Sequence, residues 1–369
     1  MARRAVAMAA CAASALAAGL VGGAPARAAS SSPGAWHVVR AGESVQAAVD
    51  AARPGDTVLL LPGVYQGGIQ LRTSDVTLRG TGAGLTVIRP AAAQTAASGS
   101  APDAGAPAPT TAAGCAAAGD GVCVTGASGV HITDLAVTGF AAYGIRAAKA
   151  DALTVSGVRA DDNGLYGIGQ EQSVRSRFTG NRAAGNGEAG LFVANTVSEE
   201  AGATDTQGTE VSGNTLTGNH MGLVVRRLRD VTVARNTLSG NCAGAFLVGD
   251  ENTPRAGELT VRDNTVTANN AYCAANAHLP FVQGAGIVLT GIENTELTGN
   301  TVTDNVGTSP LSGGIVLFPS FVGAPNSGNT VRDNTVLRNG PADLADSDHG
   351  TGNTFTGNDC RVSLPAGRC

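Results

Sequence analysis

Few side chains in this sequence can hold or move a proton, and several of them recur at matching places in a repeated unit. Short strand-like pieces read YGIRA (143–147), YGIGQ (166–170), AGLFV (189–193), MGLVV (221–225) and AGAFLV (243–248). The residue just before each piece runs Ala142, Leu165, Glu188, His220, Cys242. If adjacent repeats stack, Glu188 sits beside His220, and a carboxylate beside an imidazole is an acid/base pair. The next position runs Tyr143, Tyr166, Ala189, Met221, so two phenols stack as a platform for a sugar ring. Just past the pieces, Lys149, Gln172, Asn195 and Arg227 form one series, and Ala148, Glu171, Ala194 and Arg226 another. Positive charge at Lys149, Arg226 and Arg227 can hold a uronate carboxylate. It can also neutralise the charge that develops in a β-elimination, with Tyr166 or His220 taking the proton. The catalytic candidates are His220, Glu188, Tyr166 and Arg226. Tyr143, Lys149 and Arg227 are the candidates for holding substrate.

Each of these residues also has a plain structural use. His220 can cover a turn, Glu188 can be a solvated loop acid, and the tyrosines can pack as Phe192 and Phe246 do in the other pieces. Arg226 and Arg227 can pair with acids such as Asp230 or Glu171. His37, His131, His278 and His349 share no repeat position or helical pair, so no built metal site is expected. Calcium held between the loop acids Asp250, Glu251 and Asp263 is left open.

The elements that would position these groups follow from a second repeat. VTVARNTLSGN (231–241) returns as EVSGNTLTGN, TVRDNTVTAN, ELTGNTVTDN and TVRDNTVLRN. The first Asn of each unit falls at 181, 214, 236, 264, 300 and 334, with spacings of 33, 22, 28, 36 and 34. Asn353 opens a shortened last unit, and Leu135 and Val158 take the equivalent places upstream. A base period of about 22 to 24 with insertions marks a solenoid. β-Branched residues punctuated by Gly and Asn argue for strands and tight turns. Two or three short parallel strands per turn make a parallel β-helix, with equivalent side chains stacked about 4.8 Å apart. Asn tolerates a left-handed turn and can bond the Asn of the next coil. Two internal Asn ladders are expected: the first-Asn set, and Asn163, Asn186, Asn219, Asn241, Asn269, Asn305, Asn339 and Asn358.

Solenoid ends need caps. In GESVQAAVDAARPGDTVLLLPGVY (42–65), Ser44 can cap a short helix whose apolar face is Val45, Ala48, Val49 and Ala52. Pro54-Gly55 then turns the chain into a strand over Thr57–Leu61. CRVSLPAGRC (360–369) reads as a disulfide-closed cap at the far end. Residues 91–122 are low in complexity and read as an insertion into an early coil. Shorter insertions fall near 196–208, 250–257, 270–283, 305–312 and 318–328, and could wall a groove.

The whole chain sets outer bounds. Its 369 residues carry 52 Gly, 14% charged residues and a net charge of −5. With Lys149 the sole lysine and no basic stripe, nucleic acid is a poor partner. Arg3-Arg4, an apolar run from Ala5 to about Ala24, and Ala26-Arg27-Ala28 read as a signal peptide over 1–28. Export follows, with no membrane anchor after processing and a single domain over 29–369. Six cysteines remain, an even number that suits disulfides. Proximity favours Cys115–Cys123, Cys242–Cys273 and Cys360–Cys369. Oligomeric state is open.

From Trp36 to its end the chain resembles the right-handed parallel β-helix repeat proteins of the pectin-lyase-like superfamily, above all secreted members from Gram-positive soil bacteria. The likeness rests on the 42–65 segment and on the V-x-x-N-x-V-x-x-N and G-I-x-L units. It implies an all-β, right-handed parallel β-helix with a short capping helix, and a carbohydrate partner. Among the motifs of galacturonan hydrolases only the Asp-Asp pair is matched, by Asp161-Asp162, and no catalytic residue is carried over from them. Asp162 is a further candidate for holding substrate, and Asp before Asn163 is also good turn chemistry. The Asp-Pro-His that follows a Tyr-Gly pair in mannuronan epimerases is absent after Tyr143-Gly144 and Tyr166-Gly167.

The first expectation is an exported protein that binds or modifies an acidic polysaccharide. Lyase or epimerase chemistry suits its Tyr, His and Arg better than two-carboxylate hydrolysis. The alternatives are a non-catalytic scaffold that displays loops and, third, an accessory role in metal or cofactor maturation, weakened by the lack of a Met- or His-rich patch.

Overall fold

The repeat builds three stacks of short parallel strands in the computed structural model, which describes residues 34–91, 114–196, 200–276 and 279–369. Sheet 1 runs through twelve strands from Trp36–Val39 to Thr354–Thr356. Sheet 2 has six strands from Arg182–Ala184 to Thr335–Leu337, preceded by a three-stranded stack from Gly63–Gln66 to Ala136–Val137. Sheet 3 has eleven strands from Ile69–Leu71 to Ser363–Leu364 and contains all the strand-like pieces that carry the candidate residues. The chain visits sheets 1, 2 and 3 in turn, so every strand bonds the coil before it and the coil after it. This is the expected parallel β-helix. The signal-peptide reading over 1–28, most of the 91–122 insertion and His278 fall outside the described residues.

Alternation along each strand sends Ile145, Ile168, Leu191, Leu223, Ala245, Ile287 and Ile315 into the bore, where all are buried. They stack directly, in the register that pairs each strand with the next. The opposite faces of the same strands point outwards, and in sheet 3 they carry the chemistry described below.

Two Asn ladders run through the coils from Asn163 and Asn181 to near the end of the chain. At the corner between sheets 1 and 2, each side-chain amide from Asn181 onward donates to the Asn Oδ1 of the next coil, through Asn214, Asn236, Asn264, Asn300 and Asn334. At the corner between sheets 2 and 3 the second ladder starts at Asn163 and passes through Asn186, Asn219, Asn241, Asn269 and Asn305 to Asn339. Two details differ from expectation. The left-handed residue at each corner is the one before the Asn, as at Gly180, Arg235, Asp263 and Asp333. The Asn is therefore there for its amide, which bonds backbone as well as its neighbour. The last coil is also offset: Asn358 closes the first ladder by accepting from Asn334, and Asn353 instead accepts from Asn329. The stretch Asn353–Asn358 copies the five-residue Asn spacing around a sheet 1 strand, Thr354–Thr356, rather than a sheet 2 strand. The second ladder ends on Asp343, whose Oδ1 accepts from both the backbone and the amide of Asn339.

From Arg177 onward the links from sheet 1 to sheet 2 are tight, as from Thr179 to Arg182 or Arg332 to Thr335. The insertions fall at the other two corners. Those at 270–283 and 305–312 lie between sheets 2 and 3, and those at 196–208, 250–257 and 318–328 between sheets 3 and 1. Sheet 3 alone is flanked by insertions on both edges.

The ends are closed as expected. The helix Val45–Ala51 buries Val45 and Val49 against the first coil, and Ser44 Oγ accepts from the backbone of Ala47 at its start. The next strand is Thr57–Leu60. The cysteines pair as Cys115–Cys123, Cys242–Cys273 and Cys360–Cys369. Among the described residues no helix is long and apolar enough to cross a membrane.

Candidate functional site

On the outer face of sheet 3, register places Tyr143 beside Tyr166, then Ala189, Met221 and Ala243. The rings use the small neighbours. Tyr143 lies over Gly169, where a Cβ would come within 2.3 Å of the ring. Its centroid is 4.9 Å from that of Tyr166, and Tyr166 stacks on Phe192 at 4.5 Å. Three aromatic rings thus run along the helix axis over three coils.

Glu188 and His220 stand at the edge of this run, on successive coils where sheet 2 turns into sheet 3. Glu188 Oε2 is 3.7 Å from His220 Nδ1, and both side chains are nearly buried. Burial pushes the Glu188 carboxyl up to about 7 and pushes the His220 imidazole below its usual value. Near neutrality the pair holds a carboxyl poised to give a proton and an imidazole free to take one. His220 Nε2 is buried without a hydrogen-bond partner, whereas its backbone carbonyl accepts from Cys242 and Ala243 in the next coil. Cys242 ties the 270–283 insertion down directly beside it through Cys273.

Arg226 closes the other side. Its Nη1 donates to the Thr196 carbonyl at 3.2 Å, and among the described residues no carboxylate lies within ion-pair distance of it. Burial, then the neighbouring charge of Arg227, lowers its pKa, against the opposing pull of Tyr166, Glu200 and Asp250. The Tyr166 phenol is raised by burial, then by Glu188, while Arg226 pulls it the other way. Tyr166 thus feels both Glu188 and Arg226, and Glu188 lies beside His220, while His220 and Arg226 flank opposite ends of the strand Met221–Arg226.

The other four candidates divide. Tyr143 belongs to the aromatic run but is 1% exposed, so its ring supports Tyr166 more than it offers a surface. Arg227 is buried, bonding Glu200 at 2.6 Å and Asp250, rather than Asp230 or Glu171. Lys149 is exposed, in a left-handed turn where sheet 3 leaves for sheet 1. Asp162 is exposed at the sheet 2 end of the other corner, in the left-handed position before Asn163. It lines a separate shallow groove with Asp161, Arg182, Thr217 and Ser239.

Three groups near the aromatic run were not singled out from sequence as site residues. Arg146 sits between Asp120 and Glu171, at 3.7 and 3.6 Å, and Phe192 ends the stack. A charged residue in the middle of the apolar strand YGIRAA was the available signal for Arg146. Asp120 lies near the end of the 91–122 insertion, which has no repeat to align. The loop acids open to calcium are not gathered: Asp250 pairs with Arg227, and Asp263 with Arg262. Among the described residues, Cys115, Asp120 and Cys123 are the one group of side chains of metal-binding type close enough to share an ion, and both its sulfurs are joined in a disulfide.

Known proteins with this architecture share its shape at low identity. The A-module of a mannuronan C-5 epimerase from Azotobacter vinelandii superposes with a TM-score of 0.53 at 19% identity, covering 86% of this chain and 90% of that one. The Dettilon tailspike protein gives 0.54 at 17%, over 87% of this chain and 66% of that one. A DFA-IIIase from Arthrobacter chlorophenolicus A6, taken without its lid, gives 0.55 at 16%, over 85% and 87%. These likenesses are of fold. No curated protein matches the sequence significantly. The family described as the right handed beta helix region matches over residues 120–278 and 203–367, and with most of the chain so covered, this protein belongs to the right-handed β-helix family.

Proposed function

We propose that the protein is exported and modifies an acidic polysaccharide on the outer face of sheet 3, by proton transfer at a carbon next to a uronate carboxylate. The observations that carry this reading are a buried His220 Nε2 without a hydrogen-bond partner and, at the other end of the same strand, an Arg226 with no carboxylate within ion-pair distance among the described residues. Arg226 takes the substrate carboxylate. Neutral His220 removes the proton at the adjacent carbon, and the electron pair moves into that carboxylate, where Arg226 stabilises it. Two outcomes follow. Return of a proton from Tyr166 to the opposite face inverts the centre, which is epimerisation. Loss of the glycosidic oxygen at the next carbon, protonated by Glu188, is β-elimination. Both use one acid and one base at the same pH, the state that burial gives Glu188 and His220. The disulfides suit an exported protein, and the similar fold of a mannuronan epimerase supports a polysaccharide partner.

The test incubates the protein with pectin, alginate, hyaluronan, chondroitin and neutral glucans, with and without calcium. Unsaturated-uronate absorbance, reducing ends and NMR of the product are followed together. Turnover of a uronate polymer that is lost in His220→Ala supports the reading, and turnover that survives in this variant overturns the site. A second reading, a non-catalytic glycan-binding module, is favoured by the near-complete burial of Tyr143. Silence in all three readouts with retained polymer binding would establish it.

A further inference from the structure

Asp120 stands outside the proton-transfer group, yet its contacts lead to it. It is 1% exposed and lies inside the disulfide ring closed by Cys115 and Cys123. Its Oδ1 accepts from the backbone N–H of Tyr143 at 3.1 Å, and its Oδ2 is 3.7 Å from Arg146 Nη1. Arg146 in turn reaches Glu171 Oε1 at 3.6 Å and lies over the Tyr143 ring, 5.3 Å from its centroid. The Tyr143 hydroxyl donates to the same Glu171 oxygen at 3.5 Å. The backbone, the ring face and the hydroxyl of Tyr143 are thus all held by two carboxylates linked through one guanidinium. Tyr143 then meets Tyr166 at 4.9 Å.

We propose that Asp120 is a positioning residue of the sheet 3 site, and that its ionisation, passed through Arg146 and Glu171 to Tyr143, sets how the aromatic run presents Tyr166. The link to turnover rests on the reading of that face as the polysaccharide site. Among the described residues, the charged and titratable groups facing Asp120 are Arg146 and Glu171 on sheet 3 and the Tyr143 phenol. Within its own ring its backbone N–H donates to the Cys115 carbonyl and its Oδ2 lies 3.6 Å from the Cys123 sulfur, and Gln70 and Thr125 complete the small cavity around it. Burial raises its carboxyl to about 7, against the pull of Arg146 and with a push from Glu171. Protonation withdraws the negative charge of Asp120 from Arg146, leaving Glu171 beside it, and loosens the hold on Tyr143 from the Asp120 side.

The experiment is the near-UV circular dichroism of the tyrosines in the full chain, titrated between about pH 6 and 8.5, around the ordinary transition range of a shifted carboxyl. Glu188 titrates close by, so all arms carry Glu188→Gln. This background is expected to keep a tyrosine transition centred near 7, and adding Asp120→Asn is expected to abolish it while far-UV dichroism stays unchanged. A transition that persists unchanged in the double variant overturns the proposal. If Asp120→Asn fails to fold, Arg146→Met cuts the same link and must flatten the curve; an unaltered curve there also overturns it. Polymer binding is measured alongside. If the wild type binds no polymer, the reading of the site fails while the dichroism still decides the role of Asp120.

Discussion

His220 is the residue on which most turns, because its ring is held at one end and idle at the other. Glu188 lies beside Nδ1, and Nε2 has no partner. A buried polar atom left unsatisfied is costly, and a substrate proton arriving at Nε2 would relieve that cost. Arg226→Ala removes the proposed carboxylate anchor. A charge-assisted bond of about 1.5–3 kcal/mol predicts a loss in kcat/KM of about 10- to 150-fold, with Arg226→Lys intermediate. Steady-state kinetics on the active polymer checks this. Glu188 also predicts a pH dependence of stability. Its folded pKa of about 7 lies above the ordinary 4.5, so the folded state keeps a proton that the unfolded chain has already lost. Its contribution is fully present below the ordinary value and disappears as pH rises through about 7. Asp120 acts with the same sign. The urea midpoint should therefore fall as pH rises from about 6.5 to 8, and Glu188→Gln should flatten that fall. His220, lowered by burial, acts with the opposite sign below its ordinary 6.5, so the fall is read above about 6.5, and a midpoint that rises from there to about 8 would contradict the burial of both groups.

At the scale of elements, the Asn corners matter most. Asn264 Oδ1 accepts from the backbone and the amide of Asn236, and its own amide donates to Val233 O and Asn300 Oδ1. Asn264→Ala strands several buried groups at once. At about 1–3 kcal/mol per unsatisfied group it should cost roughly 3–5 kcal/mol. Asn264→Asp should also destabilise, because a carboxylate cannot donate to Val233 or Asn300. Urea unfolding measures both, with the exposed Asn270→Ala as control. These corners were legible in the sequence because one coil stacks on the next with no lateral freedom. Equal spacing in the chain becomes contact in space, and the same rule placed Glu188 beside His220 and Tyr143 beside Tyr166. Where a residue has no counterpart in its column, that rule is silent. Arg146 shares its row with Cys123 and Gly169, so no charge above or below announced it. The partners of Arg227 come from inserted loops, whose paths no register fixes, and so Glu200 and Asp250 were missed. The misplacement of Asn353 and Asn358 has the same root, since identical spacing around a different strand looks identical in one dimension.

Across the whole molecule, the aromatic and acid/base groups extend along the axis rather than around it. From the coil of Tyr143 to that of His220 is three strand spacings, about 14 Å. Oligosaccharide affinity should rise with length until the oligomer spans about that distance, and then level off; calorimetry over a size series checks this. An affinity independent of length would place the binding surface on a single coil. The Asn ladders carry one more consequence. Successive rungs are separated by as few as 22 and as many as 36 residues, yet every rung closes at 2.8–3.1 Å. The ladder reads position in the stack and ignores the length of chain between rungs. New sequence can therefore enter at the two sheet 3 corners without disturbing the coils on either side. Such a scaffold can exchange the loops that border sheet 3 while its backbone stays in register.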